Sequence, residues 1–354
     1  MRPALANVAV TVAALVVSFV AFEVYLRVDD RRAEPTYATI ELGGDRFPLF
    51  DDPQKLSHLD DAVVFLGDSF TEGVACGRER NYPAVFGELS KEADPDLLAL
   101  NLGSEGANTF AYLARARALV DEGARPQGVV TTLFINDVER DCSLCPFLPE
   151  LEAQGAFTAA ELAELAAFCG QCAGRHDDIA AHYTPARRLH RGLYERSWVY
   201  RLTRDASYQV LPVLGIRAGW GMGYPEQWQD QGGLSYRLLE ESLAMLAETL
   251  RAAKVPHLVA LYPPARQITR ENPYVGIYAQ AAADLEARTG DPVLSGYAAF
   301  LDHPEARPDM AFSLTDAHPS CAMHELFAEW VWEEWQRRFR TPAPLPEPPP
   351  KPMS

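Results

Sequence analysis

The stretch that most constrains this chain is VVFLGDSFTEG, residues 63–73. Its first part, with Ala62 before it, is a short β-branched apolar run of the kind that forms a buried strand. The run stops at Gly67-Asp68-Ser69. Open α/β sheets place their ligands at such turns, at the carboxyl ends of buried strands. A serine there can expose its hydroxyl while the sheet holds its backbone. The N–H groups that follow can point at a developing oxyanion. The plainer reading is a strand-to-loop turn with an Asx-type hydrogen bond from Asp68. Three residues alone do not decide between the two.

The pattern downstream predicts alternation. Residues 82–89 have apolar positions at helical spacing, and 97–102 form a second apolar run. Residues 109–122 read as an amphipathic helix, with Phe110, Leu113, Ala114, Ala118 and Leu119 on one side. Gly123 and Pro126 end it, and 128–135 is a third strand candidate running into Asn136-Asp137. Strand, helix and strand in turn predict a parallel sheet with right-handed crossovers. From 138 to 234 the alternation fails, and the spacing predicts a helix-rich insertion. Within it, Thr158-Ala159-Ala160-Glu161 is a capping-box pattern ahead of Leu162, Leu165 and Phe168. Residues 186–202 read as further helix, and the Gly- and Trp-rich stretch 215–233 as a lid or loop. The alternation resumes with a helix over 235–253, a strand over 257–262, a helix over 278–289 and a short strand over 292–294. A loop over 312–319 leads to a last helix over 321–339. Residues 33–60 read as a polar lead-in with short pieces, and 341–354 as a Pro-rich extended tail.

A chain of 354 residues, 48% of them hydrophobic, suffices for one large α/β domain with insertions or for two small domains. A formal net charge of −17 repels phosphate backbones and argues against nucleic-acid binding. Residues 4–22 are almost continuously apolar, interrupted by Asn7, Thr11 and Ser18. At ~1.5 Å per residue that length nearly spans a bilayer core of roughly 30 Å. An uncleaved membrane anchor over 1–32 is the expectation, because no convincing small-x-small cleavage site follows the run. Arg2 lies on one side and Arg27, Arg31 and Arg32 on the other, a count that by itself would leave the remainder in the cytoplasm.

Three strand ends thus carry Asp68-Ser69, Gly106 and Asn136, and the loop before the last helix carries Asp316-Ala317-His318-Pro319. Each has an ordinary structural reading. Gly106 can serve a turn that needs positive φ, Asn136 can cap, and His318 can be a surface histidine. Together they supply what acyl transfer needs. Ser69 is the candidate nucleophile, His318 the general base and Asp316 the orienting carboxylate. The N–H groups of Ser69 and Gly106, with the Asn136 amide, are the candidate oxyanion hole.

In order and spacing these blocks resemble the SGNH hydrolases, the GDSL esterase/lipase superfamily, named for the Ser, Gly, Asn and His that match Ser69, Gly106, Asn136 and His318. The resemblance implies a flavodoxin-like three-layer α/β/α sandwich over 33–340, with a parallel sheet and the 138–234 insertion. It implies a serine esterase that hydrolyses or transfers O-acyl groups without a catalytic cofactor. A single anchor ahead of such a domain resembles bacterial envelope members. That implies an extracytoplasmic domain acting on an acylated glycan or lipid. The second reading keeps the fold but not the turnover: a module that binds an envelope glycan. Two departures stand out. Phe70 replaces the usual Leu, at a position that mainly packs. Asp316-x-His318 is one residue shorter than the usual Asp-x-x-His, which changes where the carboxylate points, and Asp309 and Asp302 are alternative orienters.

Cys142-x-x-Cys145 and Cys169-x-x-Cys172 form a pattern common to structural zinc sites. Two disulfides are the equal alternative in an oxidising compartment. Cys76 and Cys321 each follow a candidate site block closely enough to approach one another. His176, Asp177, Asp178 and His182 read as a solvated helical face rather than metal ligands. Trp198, Trp220, Tyr224 and Trp228 either line an acceptor groove or form the core of the insertion.

Overall fold

A computed structural model of the chain describes residues 58–73, 76–77, 79–105, 107–134, 137, 158, 160–165, 228, 232–263, 275–301 and 318–340. It adds the backbone of 38–42 and 45–49, and the single residue Ser18. The chain divides into two compact units, Met1–Tyr37 with Arg175–Gly223, and Ala38–Gly174 with Tyr224–Ser354. Apart from Ser18, the first falls outside the described residues. All the elements below belong to the second.

The lead-in contains a hairpin that the sequence pattern did not predict. Strands β1 (Ala38–Leu42) and β2 (Asp45–Leu49) pair antiparallel, with Leu42 opposite Asp45. The Gly43-Gly44 dipeptide between them is a hairpin signal by composition.

Five strands then form one parallel sheet: β3 (Ala62–Leu66), β4 (Leu98–Asn101), β5 (Gly128–Leu133), β6 (His257–Leu261) and β7 (Val293–Ser295). Their spatial order is β4-β3-β5-β6-β7, all neighbours parallel. The chain therefore steps one way from β3 to β4, then reverses and crosses β3 to reach β5. Right-handed crossovers place helices on opposite faces when the direction reverses, which makes three layers. On one face lie α2 (Tyr82–Lys91) and, packed against it, α7 (Cys321–Phe339). The other face carries α3 (Thr109–Asp121), α4 (Leu234–Ala252) and α5 (Val275–Thr289). This is the flavodoxin-like α/β/α arrangement, with its topological switch at β3, the strand that runs into Ser69.

Covering both faces explains the strand sequences. All five residues of β3 are fully buried, as are Val129 and Val130 of β5 and Leu258, Val259 and Ala260 of β6. A strand buried on both sides reads as an unbroken apolar run rather than an alternation. Helix starts are equally local. Asn81 caps α2 by accepting the Ala84 N–H at 3.0 Å, and Asn108 caps α3 by accepting that of Ala111 at 3.2 Å. The capping box in the insertion forms as expected. Glu161 Oε2 accepts the Thr158 N–H at 2.7 Å, and Thr158 Oγ1 accepts the Glu161 N–H at 3.3 Å.

Two short differences have plain causes. Helix α5 begins at Val275 rather than 278, its first turn held by Ile277, which packs against the core. A short helix α6 (Gly296–Leu301) follows β7 directly and is too brief to show periodicity. It stacks Tyr297 on Tyr278 with ring centroids 3.9 Å apart. For Trp228 the core reading holds, not the groove. It is buried edge-on to Tyr236 and Tyr278, so it lines no groove.

The sheet and α7 meet at Gly128. A Cβ there would lie 1.9 Å from Cη2 of Trp335, a buried ring that also packs near Phe86. Gly128→Ala is therefore expected to lose about 1–3 kcal/mol by overpacking. Urea unfolding should show a lower midpoint with an unchanged slope.

Candidate active site

The turn after β3 is built by crowding. Asp68 is extended and caps the four-residue helix α1 (Ser69–Glu72), its carboxylate accepting the Phe70 N–H at 2.9 Å. The Asx-type bond and the serine turn are thus one feature, not rivals. Gly73 ends the helix in the left-handed region at φ 83°. A Cβ on Gly67 would meet Thr71 Oγ1 at 1.9 Å, and one on Gly103 would meet the Glu72 amide nitrogen at 2.5 Å. The loops after β3 and β4 therefore touch backbone to backbone, which only glycine permits.

Ser69 is 4% exposed, and its hydroxyl lies 2.8 Å from His318 Nε2. With Nε2 as the acceptor, the hydroxyl donates to the imidazole. The Phe70 ring sits 5.1 Å from the His318 ring and stacks on Phe134 at 3.6 Å, forming an apolar floor for the imidazole.

Three further contacts join the segments that flank this pair. Cys76 and Cys321 form a disulfide, with Cα atoms 5.0 Å apart. Arg80 pairs with Glu325 at 2.6 Å. The Tyr82 N–H donates to His324 Nδ1 at 3.2 Å. Burial, and then the neighbouring His318, push His324 down to about 3, so it stays neutral near neutral pH.

The loops at the next two strand ends are also held by side chains. Asn101, the last residue of β4, donates to the Thr71 carbonyl at 2.8 Å and accepts the Gly103 N–H at 2.8 Å. Glu72 Oε2 accepts the Glu105 N–H at 2.5 Å. Burial, opposed by that hydrogen bond, raises the Glu72 carboxyl to about 7; Glu105 and Asp68 add to the rise, and His318 counters it. Arg115, buried on α3, donates to the Leu102 carbonyl at 2.6 Å. Burial lowers it to about 10, against the pull of Tyr112 and Glu72. After β5, Asp137 accepts from the Tyr112 hydroxyl at 2.9 Å and from the Phe134 N–H at 2.6 Å.

Of the residues singled out in the sequence, Ser69 and His318 come together. Gly106, Asn136, Asp316, Asp309 and Asp302 lie outside the described residues, as do Cys142, Cys145, Cys169 and Cys172 and, apart from Ser18, the apolar segment 4–22. Among the described residues, no group of His, Cys, Asp or Glu could hold a metal ion, and no helix is long and apolar enough to cross a membrane. Sequence reasoning passed over Glu72, Asn101 and Asp137. All three sit inside the stretches quoted above, one to five residues from the candidates.

A second array imitates the chemistry without serving it. His257 lies between Thr131 Oγ1 at 2.9 Å and Asp291 Oδ2 at 2.8 Å. Thr131 is fully buried, and His257 opens β6, at the end of the sheet away from Ser69. This array ties strands together.

The chain is similar to several solved structures. With TesA it shares 15% identity at a TM-score of 0.42, covering 78% of this chain and 98% of the other. With the esterase EstA from Pseudoalteromonas sp. it shares 12% identity at 0.41, covering 78% and 98%. With a two-domain esterase active on acetylated mannans it shares 12% at 0.40, covering 83% and 56%. Likeness at this level bears on neither substrate nor mechanism. No curated protein matches the chain. Residues 65–326, which include both Ser69 and His318, match the model of the GDSL-like Lipase/Acylhydrolase family. The chain belongs to that family of ester-hydrolysing enzymes, which act without a cofactor.

Proposed function

We propose that the chain is a serine esterase or O-acyltransferase of the cell envelope, held to the membrane by residues 4–22, with Ser69 as nucleophile and His318 as general base. One observation carries the reading: the 2.8 Å contact between the Ser69 hydroxyl and His318 Nε2. A nucleophile and its base must lie within this reach. A module that only binds has no use for it.

The chemistry is acyl transfer in two halves. His318 takes the Ser69 proton as Oγ attacks the acyl carbon. The tetrahedral oxyanion is received by the N–H groups of Ser69 and Gly106 and by the Asn136 amide. Collapse expels the alcohol, which takes the proton from His318 and leaves an acyl-enzyme. Water, or an acceptor hydroxyl, then repeats the sequence in reverse. Asp316 is the proposed orienting carboxylate.

The Cys76–Cys321 disulfide supports an extracytoplasmic domain, since disulfides persist in oxidising compartments. It outweighs the Lys/Arg count around the anchor. The same compartment favours disulfides over zinc at Cys142, Cys145, Cys169 and Cys172. The substrate proposed is an acylated glycan or lipid. Support comes from the sequence of the insertion that follows Asn136, which carries the aromatics Trp198, Trp220 and Tyr224.

Ser69→Ala is expected to abolish hydrolysis of 4-nitrophenyl acetate, by at least ~10³-fold. Asn136→Ala should lower kcat on the order of 10²-fold, the usual scale for one oxyanion donor. Near-normal turnover by the serine variant would refute the nucleophile assignment. For the compartment, protein taken from intact cells without reductant should resist alkylation at Cys76 and Cys321 until a dithiol is added. Immediate alkylation of both would place the domain in a reducing compartment.

A further inference from the structure

Glu72 does something that the acyl-transfer reading does not require. It lies three residues after Ser69, so both side chains leave the same side of the short helix α1. Its carboxylate turns to the loop after β4 and accepts the Glu105 N–H at 2.5 Å. Gly106 is the next residue in the chain. Charged groups face Glu72 from every side. Asp68 comes from its own cap, Glu105 from the β4 loop, Arg115 from α3 and His318 from the segment before α7. Its own backbone is fixed as well: the carbonyl accepts from Asn81 Nδ2 at 3.1 Å and the N–H donates to the Asp68 carbonyl at 3.0 Å.

A half-buried carboxylate between two other acids is a poor choice for a tie. A glutamine would accept the same N–H without placing a charge out of water. What the carboxylate adds is a stronger acceptor and a negative charge facing His318, the group that becomes cationic as Ser69 loses its proton.

We propose that Glu72 is a positioning residue of the esterase site, holding the segment that leads into Gly106 against the nucleophile helix while its charge favours proton uptake by His318. This rests on Ser69 and His318 acting as nucleophile and base. The arrangement opposes stability. Glu72 sits at about 7 in the folded chain, above the 4.5 of a free glutamate. The folded state therefore holds more protons between those two values, and stability falls as pH rises through that window. Above it the carboxylate is ionised and fully active, at a standing loss of stability.

The test compares full-length wild type, Glu72→Gln, Glu72→Ala and Ser69→Ala at pH 8, with 4-nitrophenyl acetate as probe. Glu72→Gln should lower kcat about tenfold with KM little changed, while its thermal midpoint equals or exceeds that of wild type. Glu72→Ala, which also loses the acceptor, should lower kcat on the order of 10²-fold, as expected for a misplaced site. The acid limb of the kcat profile should be less steep in Glu72→Gln, having lost one of its two protons. Wild-type kcat in both Glu72 variants overturns the proposal. So does a Glu72→Gln enzyme whose rate and thermal midpoint fall together, since that marks a structural residue. A Ser69→Ala enzyme that still turns over overturns the nucleophile reading itself, and this proposal with it.

Discussion

One hydrogen bond, from the Ser69 hydroxyl to His318 Nε2, joins residues 249 apart in sequence. Nothing local can set such a distance. It depends on where β3 ends and where α7 begins, and those depend on the sheet. The topological switch at β3 opens a crevice between the loops of neighbouring strands, and α1 projects its first residue into it. The bond is therefore a readout of the whole α/β/α packing. An error of about 1 Å anywhere along that path is enough to cost on the order of 10²-fold in rate.

The molecule does not leave this path to the apolar core alone. The core fixes β3 and α7 through Phe65, Tyr82, Phe86, Phe327 and Trp332, whose rings meet mostly edge to face. Nearer the site, polar and covalent links take over. The Cys76–Cys321 disulfide, the Arg80–Glu325 pair and the Tyr82–His324 contact bind the segment after Ser69 to the one after His318. Tyr82 reaches further, its hydroxyl lying 2.6 Å from Thr132 Oγ1 and 3.2 Å from Thr71 Oγ1. Asn101, Glu72 and Arg115 then hold the β4 loop, and Tyr112 with Asp137 holds the β5 loop. Each strand end near the candidate site thus has its own anchor on a neighbouring helix or loop.

Much of this could be read from the residues, for physical reasons that also mark where reading stops. Strands buried on both faces leave long apolar runs, so β3, β4, β5 and β6 were legible to within two residues at each end. Ser69 and His318 stood out as candidates only because four separate blocks, each ordinary alone, together match one pattern. Glu72, Asn101 and Asp137 did not, although each lies within five residues of a candidate. A carboxylate or amide that ties a loop looks like any polar loop residue until its partner is known. The hairpin β1–β2 was passed over although Ala38–Leu42 alternates and Gly43-Gly44 follows, since Pro48 breaks the pattern of its second arm; α6 was too short to carry a period. Trp228 shows the converse. An aromatic in a Gly-rich stretch suggests an open groove, yet its indole is closed in by Tyr236 and Tyr278.

The proposed mechanism requires this packing to activate one hydroxyl among many. It is tested most directly by locating the covalent adduct that a fluorophosphonate leaves on the intact chain, using peptide mass spectrometry. A single adduct is expected, on the peptide containing Ser69, formed rapidly in the wild type and scarcely at all in His318→Ala. An adduct on another residue, or one on Ser69 that forms equally fast without the imidazole, would contradict it.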